Sequence, residues 1–349
     1  MNIIWTIALK DIVDVIRSRI VLSLILLSSL ILLLPKMLPL FFEQPVTMLP
    51  VYDPGESTLI ATLGSDPGLS IKKVSSFAEL SNDLCNAVFP ELGLVVPEEV
   101  VLSGGQLELE GYLCWGKRRA GPGLETRIQA QLSALLGQPV KLHTAGNYVY
   151  PPSDTSLSLG LNTLNIVLTL FMMGIFLVPH VIFEEKQTKT LDALLVSPAS
   201  ISQVVVGKAL TGFFYILVTA GVVFTINWAE VVHWGVVFLF VLAGGLFSVA
   251  VGLVLGTFFK GQQETAGWMT GLVLIFVGAV FTSAIHLDLP AFIDTIVSWI
   301  PSVALADMCR AVFSEDVKLA LMARSLGIIV GLSLPLYGLV IWKIGRSDR

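Results

Sequence analysis

The chain has 349 residues, 54% of them hydrophobic and 13% charged, with a mean hydropathy of +0.82. A soluble domain carries about 25% charged residues, so this composition excludes one and describes an integral membrane protein. The formal net charge of -5, with no basic stripe, argues against nucleic acid as a partner.

Residues 1–19 precede the first long apolar run. Ile4, Ala8, Ile12, Val15 and Ile16 share one helical face, with Lys10, Asp14 and Arg17 opposite. That pattern predicts a helix lying in the membrane interface. Lys10, Arg17 and Arg19 would hold this end in the cytoplasm. The apolar run from Ile20 continues past Pro35-Lys36, which places a first span at 20–41. It exceeds the apolar core of about 7–15 residues that a signal peptide carries, and no small-x-small cleavage site follows promptly.

Residues 42–156 change character, with abundant Gly, Pro, Asp, Glu and Ser and no run able to cross a bilayer. Strand-like pieces fall at Val46–Tyr52, Leu69–Val74, Leu92–Val96 and Gln106–Leu113. Helical spacing falls at Glu56–Leu63, Phe77–Val88 and Leu124–Leu136. The segment therefore reads as an extracytoplasmic α/β domain. Lys117-Arg118-Arg119 runs against the positive-inside rule, which long translocated loops escape. Cys85 and Cys114 both lie here, so a disulfide is permissible. Cys309 is expected to be free, and no cysteine or histidine cluster has metal-ligand spacing.

Leu102–Gln106 spells LSGGQ, the signature of ABC-type ATPases. It means something only beside a P-loop and an acidic Walker B strand, and the chain carries no G-x-x-x-x-G-K-[ST]. Gly104-Gly105 is better read as the turn entering a strand. The chain is expected to bind no cofactor and no metal of its own. The four histidines are dispersed and no nucleophile–base motif occurs, so no enzyme activity is expected.

The remainder, 157–349, is membrane again, with spans predicted at 157–183, 204–226, 236–259, 268–285 and 323–344. Six crossings put both termini in the cytoplasm, in line with Lys343, Arg346 and Arg349. Between the last two spans, Phe292–Ile300 and Val303–Phe313 are each too short to cross and are broken at Pro301-Ser302. A re-entrant or interfacial hairpin at about 289–313 is the better reading, an amphipathic external loop the other.

The middles of the spans hold no Asp, Glu, Lys or Arg, while Lys36, Lys208 and Lys260 lie at segment ends. A transporter driven by an ion gradient needs such groups, so energy is expected to enter from outside the bilayer. Mild polarity remains at Asn162, Thr163, Asn165 and Thr169 in the second span and at Thr270, Thr282 and Ser283 in the fifth. Asn162 and Asn165, at i and i+3, could line a cavity or bond to a neighbouring helix.

One loop, 184–203, stands out between the second and third spans. Leu191, Leu194 and Leu195 recur at i, i+3 and i+4, giving a short helix with an apolar face that a solvated turn would not need. Ser197-Pro198 stops it, and Ser200–Gln203 has the capping-box form that starts the next helix.

E-E-K-x-x-K-T-L-D-A-L-L-V-S-P (184–198), followed by Gly207-Lys208, resembles the cytoplasmic loop of type-2 ABC transporter permeases, the type V exporter fold. The likeness extends over nearly the whole chain: interfacial helix, external domain after the first span, six spans, and a hairpin before the last. The resemblance implies a multi-pass protein of the bacterial plasma membrane, in contact with lipid. It implies a second permease copy or paralogue and an ABC-type ATPase subunit that binds ATP and Mg. The loop would be the coupling helix, with Thr190, Leu191, Leu194, Leu195, Ser197 and Pro198 toward the ATPase. Glu184, Glu185 and Lys186 would brace the interfacial helix. The second and fifth spans would line the path, with Asn162, Asn165, Thr169, Met172, Thr270 and Phe276 as its candidate residues. Lys189 stands where the family often has Gly, and Gln187 where it often has Glu, so the start of the coupling helix differs in shape and charge.

The function expected is export of an amphipathic drug-like, lipid or peptide molecule, with sodium ranked lower. From a different class, the chain could be a membrane sensor or scaffold whose external domain binds a ligand and signals through the same loop.

Overall fold

The computed structural model describes residues 3–17, 47–55, 69–87, 91–96, 102–103, 106–151, 157–188, 200–285 and 290–347, with scattered helical positions between Ser23 and Met37. Most of the predicted first span, the predicted helix 56–63 and loop residues 189–199 lie outside them.

Helix α1 (Ile3–Arg17) forms as the amphipathic pattern predicts. Ile7, Ala8 and Asp11 are buried, Ile4 and Ile12 half-buried, and Trp5, Leu9 and Val13 exposed. Ile4, Ala8 and Ile12 of the predicted face thus turn inward, with Ile7 and Asp11 beside them, and the helix packs on Ile201–Ile226.

The α/β unit comprises β1 (Thr47–Tyr52), β2 (Leu69–Val74), α2 (Phe77–Asn86), β3 (Gly93–Val95), β4 (Leu102–Ser103), β5 (Gln106–Cys114), α3 (Gly121–Leu136), β6 (Val140–His143) and β7 (Tyr148–Val149). The sheet runs β2-β1-β3-β5-β4, with β6 and β7 also on β5. β1 pairs in parallel with β2 and β3, whereas β3 and β4 run antiparallel to β5. Ser103 pairs with Gln106, so the LSGGQ string flanks a hairpin connection. Leu49, Leu94, Leu109, Ile128 and Leu132 fill a fully enclosed core between the sheet and α3. A disulfide joins Cys85 of α2 to Cys114 at the end of β5. Cys309 is a free, buried thiol.

The membrane helices follow. α4 (Leu157–Met172) passes through a π turn, Met173–Leu177, into α5 (Val178–Thr188). Then come α6 (Ile201–Ile226), α7 (Trp234–Phe258), α8 (Gln262–Ile285), α9 (Ala291–Ser298), α10 (Pro301–Phe313) and α11 (Leu319–Ser347). Among the described residues five helical stretches are long and apolar enough to cross a membrane: Ser158–Gln187, Ser202–Ile226, Trp234–Phe258, Gln262–Ala284 and Leu319–Arg346. They overlap the five segments predicted as spans after residue 156. α9 and α10 meet at a 78° bend. α9 has no buried residue, and α10 is buried along most of its length.

α7 is the central helix, with most of its residues buried and Trp234, Phe238, Leu239, Leu246 and Phe258 exposed. Gly244, Ser248, Gly252 and Gly256 recur every fourth residue along it. Such small-residue stripes let membrane helices approach closely. A Cβ on Gly252 would stand 2.2 Å from the Gly174 carbonyl oxygen, inside the π turn. The backbone of the second span therefore rests directly on α7.

Candidate functional site

Both flanks of loop 189–199 are fixed. On the far side, Ser200 and Gln203 close the predicted capping box. The Gln203 amide donates to Ser200 Oγ at 3.3 Å, and the Ser200 amide donates to Gln203 Oε1 at 2.9 Å.

Two turns into α6, Gly207 and Lys208 meet α1. A Cβ on Gly207 would lie 2.9 Å from Ile7 Cγ2, so a residue without a side chain lets the two helices close. Lys208 Nζ then reaches Asp11 Oδ2 at 3.1 Å and Glu185 Oε2 at 2.5 Å. Lys10 lies 3.6 Å from the other Glu185 oxygen. Burial pushes the Asp11 carboxyl above the usual carboxylate range, with Lys208 pulling against it. Thr211 Oγ1 donates to the Ala8 carbonyl at 3.3 Å, and the Tyr215 hydroxyl to the Ile12 carbonyl at 2.6 Å. Two acids, two bases and two hydroxyls thus bind α1, α5 and α6 into one joint.

Lys186 turns the other way. Its ammonium donates to the carbonyls of Gly256 and Phe259, each at 2.7 Å, and of Thr257 at 3.4 Å. Those are the last carbonyls of α7, unpaired within the helix and at the negative end of its dipole. Glu185 and Lys186 are neighbours in sequence, yet Glu185 holds α1 and α6 while Lys186 holds the turn from α7 to α8. Of the three residues assigned to bracing α1, then, Glu185 does so, Lys186 braces α7, and Glu184 is exposed. Thr190, Leu191, Leu194, Leu195, Ser197 and Pro198 lie outside the described residues.

Of the six path candidates, Met172 and Phe276 line a common crevice. It is apolar, lies between α4, α8 and α10, and is also lined by Leu168, Phe171, Val273 and Ser302. The Phe171 and Phe276 rings pack edge to face at 4.7 Å. Thr169 is buried and Asn165 half-buried. Thr270 sits on the exposed face of α8, its hydroxyl donating to the Ala266 carbonyl. Asn162 lies at the opposite end of α4 and donates to Asn227 and Glu230.

Sequence reasoning missed the buried charges. Asp11 falls on the face of Ile4, Ile7, Ala8 and Ile12, and an acid on an apolar stripe was the available signal of a buried partner. Lys208, read as a segment end, is buried inside α6. Arg310, read as part of the hairpin, is also buried and bonds Asp307 at 3.1 Å and Ser283 of α8 at 2.9 Å.

A family model described as ABC-2 family transporter protein matches residues 19–343. No curated protein matches the chain. With a matched region that takes in the α/β unit, nearly all of the five described helical stretches able to cross a membrane, and the Glu185–Lys208 joint apart from α1, the chain belongs to the ABC-2 transporter family.

Proposed function

We propose that this chain is the permease subunit of an ATP-driven exporter, working with a separate ATPase subunit and a second permease copy or paralogue. ATP and Mg would be bound by the ATPase. In this reading loop 184–203 is the coupling element, both termini are cytoplasmic, the α/β unit is extracytoplasmic, and the membrane is the bacterial inner membrane.

The observation that carries the proposal is the divergence of Glu185 and Lys186. A push on the loop from a partner acts on α5, and through these two side chains it reaches α1 and α6 on one side and the α7–α8 turn on the other. Buried ion pairs and helix ends are stiff, because losing a partner leaves an uncompensated charge. The second and fifth spans would therefore move together. Between them lies the crevice of Met172 and Phe276, which is apolar apart from Ser302. That lining suits an amphipathic drug-like, lipid or peptide molecule better than sodium, which needs oxygen ligands. Asn165, Thr169 and Thr270 would add polar contacts as the path opens.

The test is co-purification with the ABC-type ATPase subunit co-expressed with the permease. Leu194→Asp with Leu195→Asp should abolish association while leaving the permease folded. Association at the wild-type level would overturn the proposal.

A further inference from the structure

The three consecutive cations Lys117, Arg118 and Arg119 stand on the turn Trp115–Ala120, immediately after the disulfide cysteine of β5. Each is committed to a different partner. Lys117 Nζ donates to the Leu84 carbonyl at 2.9 Å and to the Ala87 carbonyl, capping the C-terminus of α2. Arg118 donates to the carbonyls of Trp115 and Ala229, and its guanidinium lies 3.9 Å from the Trp115 ring centroid. The Arg119 guanidinium stacks 3.8 Å over Trp228. Ala229 and Trp228 belong to the connection between α6 and α7, so two of the three cations leave the α/β unit altogether.

The same connection reaches into the second span. Gly116 abuts Glu230, since a Cβ on Gly116 would stand 2.9 Å from Glu230 Cγ. On its other side the Glu230 carboxylate accepts from Asn162 Nδ2 at 3.1 Å, and Asn162 also donates to the buried Asn227 at 3.4 Å. At the end of α2, Asn86 Oδ1 accepts from the backbone amide of Ser158, in the first turn of α4. The C-terminus of α2, the disulfide, the basic turn, the α6–α7 connection and the first turns of α4 thus converge at one place.

We propose that Trp115–Ala120 is a clamp that makes the α/β domain a steering element of the second span, with Glu230 the positioning residue between them. A domain resting loosely on the membrane could turn without consequence. Here a rotation of the domain pulls Ala229 and Trp228, shifts Glu230, and reaches Asn162 through one hydrogen bond. That such steering affects export rests on the function proposed above; the clamp itself does not.

The experiment is hydrogen–deuterium exchange on the full-length permease in lipid nanodiscs, without ATPase or substrate. Arg118→Ala with Arg119→Ala should speed exchange about tenfold in 227–233 and in 158–165, the factor expected from losing about one hydrogen bond. β1 and β3 should stay protected, which shows that the domain still folds. Glu230→Ala should speed exchange in 158–165 alone. Glu230→Gln, which keeps an acceptor for Asn162, should restore wild-type exchange there. Faster exchange confined to 115–120, with 158–165 unchanged in both alanine variants, would overturn the clamp. Failure of the exporter reading would leave these exchange rates untouched.

Discussion

The Lys208 ammonium sits 2.5 Å from a Glu185 carboxylate oxygen, and both side chains are more than nine-tenths buried. The pair lies where α1, α5 and α6 meet, and Asp11 completes it from α1. Taking charges out of water is costly, and their mutual attraction repays this only while every partner is present.

Lys208→Met should therefore destabilise the protein by about 3–5 kcal/mol, the range for stranding a buried charge. Here two acids lose their cation at once. Adding Asp11→Leu to Lys208→Met should recover part of that loss, because one of the stranded carboxylates is removed. Thermal unfolding in detergent reads both variants. Equal melting of wild type and Lys208→Met would show that the cluster is open to water.

The contact of the second span with α7 predicts a different defect. Gly252→Val places side-chain atoms where the Gly174 carbonyl oxygen now lies, 2.2 Å from the first added carbon. Backbone cannot yield as a flexible side chain can, so the helices must separate, at a cost of about 1–3 kcal/mol or more. Gly271→Val, on an open face of α8 with nothing within 4 Å of an added Cβ, should leave the melting temperature unchanged.

The α/β unit carries a pH signature. Burial lowers the Lys117 amine from its ordinary 10.5 to about 8, with Glu91 and Glu230 opposing the shift. Between pH 8 and 10.5 the unfolded chain then holds more protons at this residue than the folded one. Stability from this group must rise with pH across that window and stay flat below it. Lys117→Met should abolish the rise, read as melting of the domain at pH 7.5 and pH 10 in both proteins. A wild-type domain whose melting did not depend on Lys117 in that interval would contradict the burial.

Much of this architecture was legible in the chain, for identifiable reasons. Membrane helices are read from length and hydropathy, and five helices long and apolar enough to cross form where the apolar runs after residue 156 lie. Ser200 and Gln203 announce their capping box because capping is local chemistry. The strands at Val140–His143 and Tyr148–Val149 were not read, since short strands that pair only with distant β5 carry little local pattern. Nor was the partnership of Asp11 with Lys208, 197 positions apart, because hydropathy treats a charge as an interruption and not as half of a pair. The separate destinations of Glu185 and Lys186 follow from the helical rotation between neighbouring residues and from which helices pack on each side. Sequence spacing alone does not hold that information.

The central claim is that force enters at loop 184–203 and leaves along two routes, one through Glu185 and one through Lys186. It is tested most directly by the ATP hydrolysis rate of the assembled permease–ATPase complex carrying Lys186→Met, beside Leu194→Asp/Leu195→Asp. Lys186→Met keeps the apolar stem but strands the carbonyls of Gly256 and Phe259, so the complex should assemble normally and hydrolyse ATP several-fold more slowly, with Lys186→Arg restoring most of the rate. The double aspartate should fail to assemble at all. Full hydrolysis by an assembled Lys186→Met complex, together with normal assembly of the double aspartate, would contradict the account.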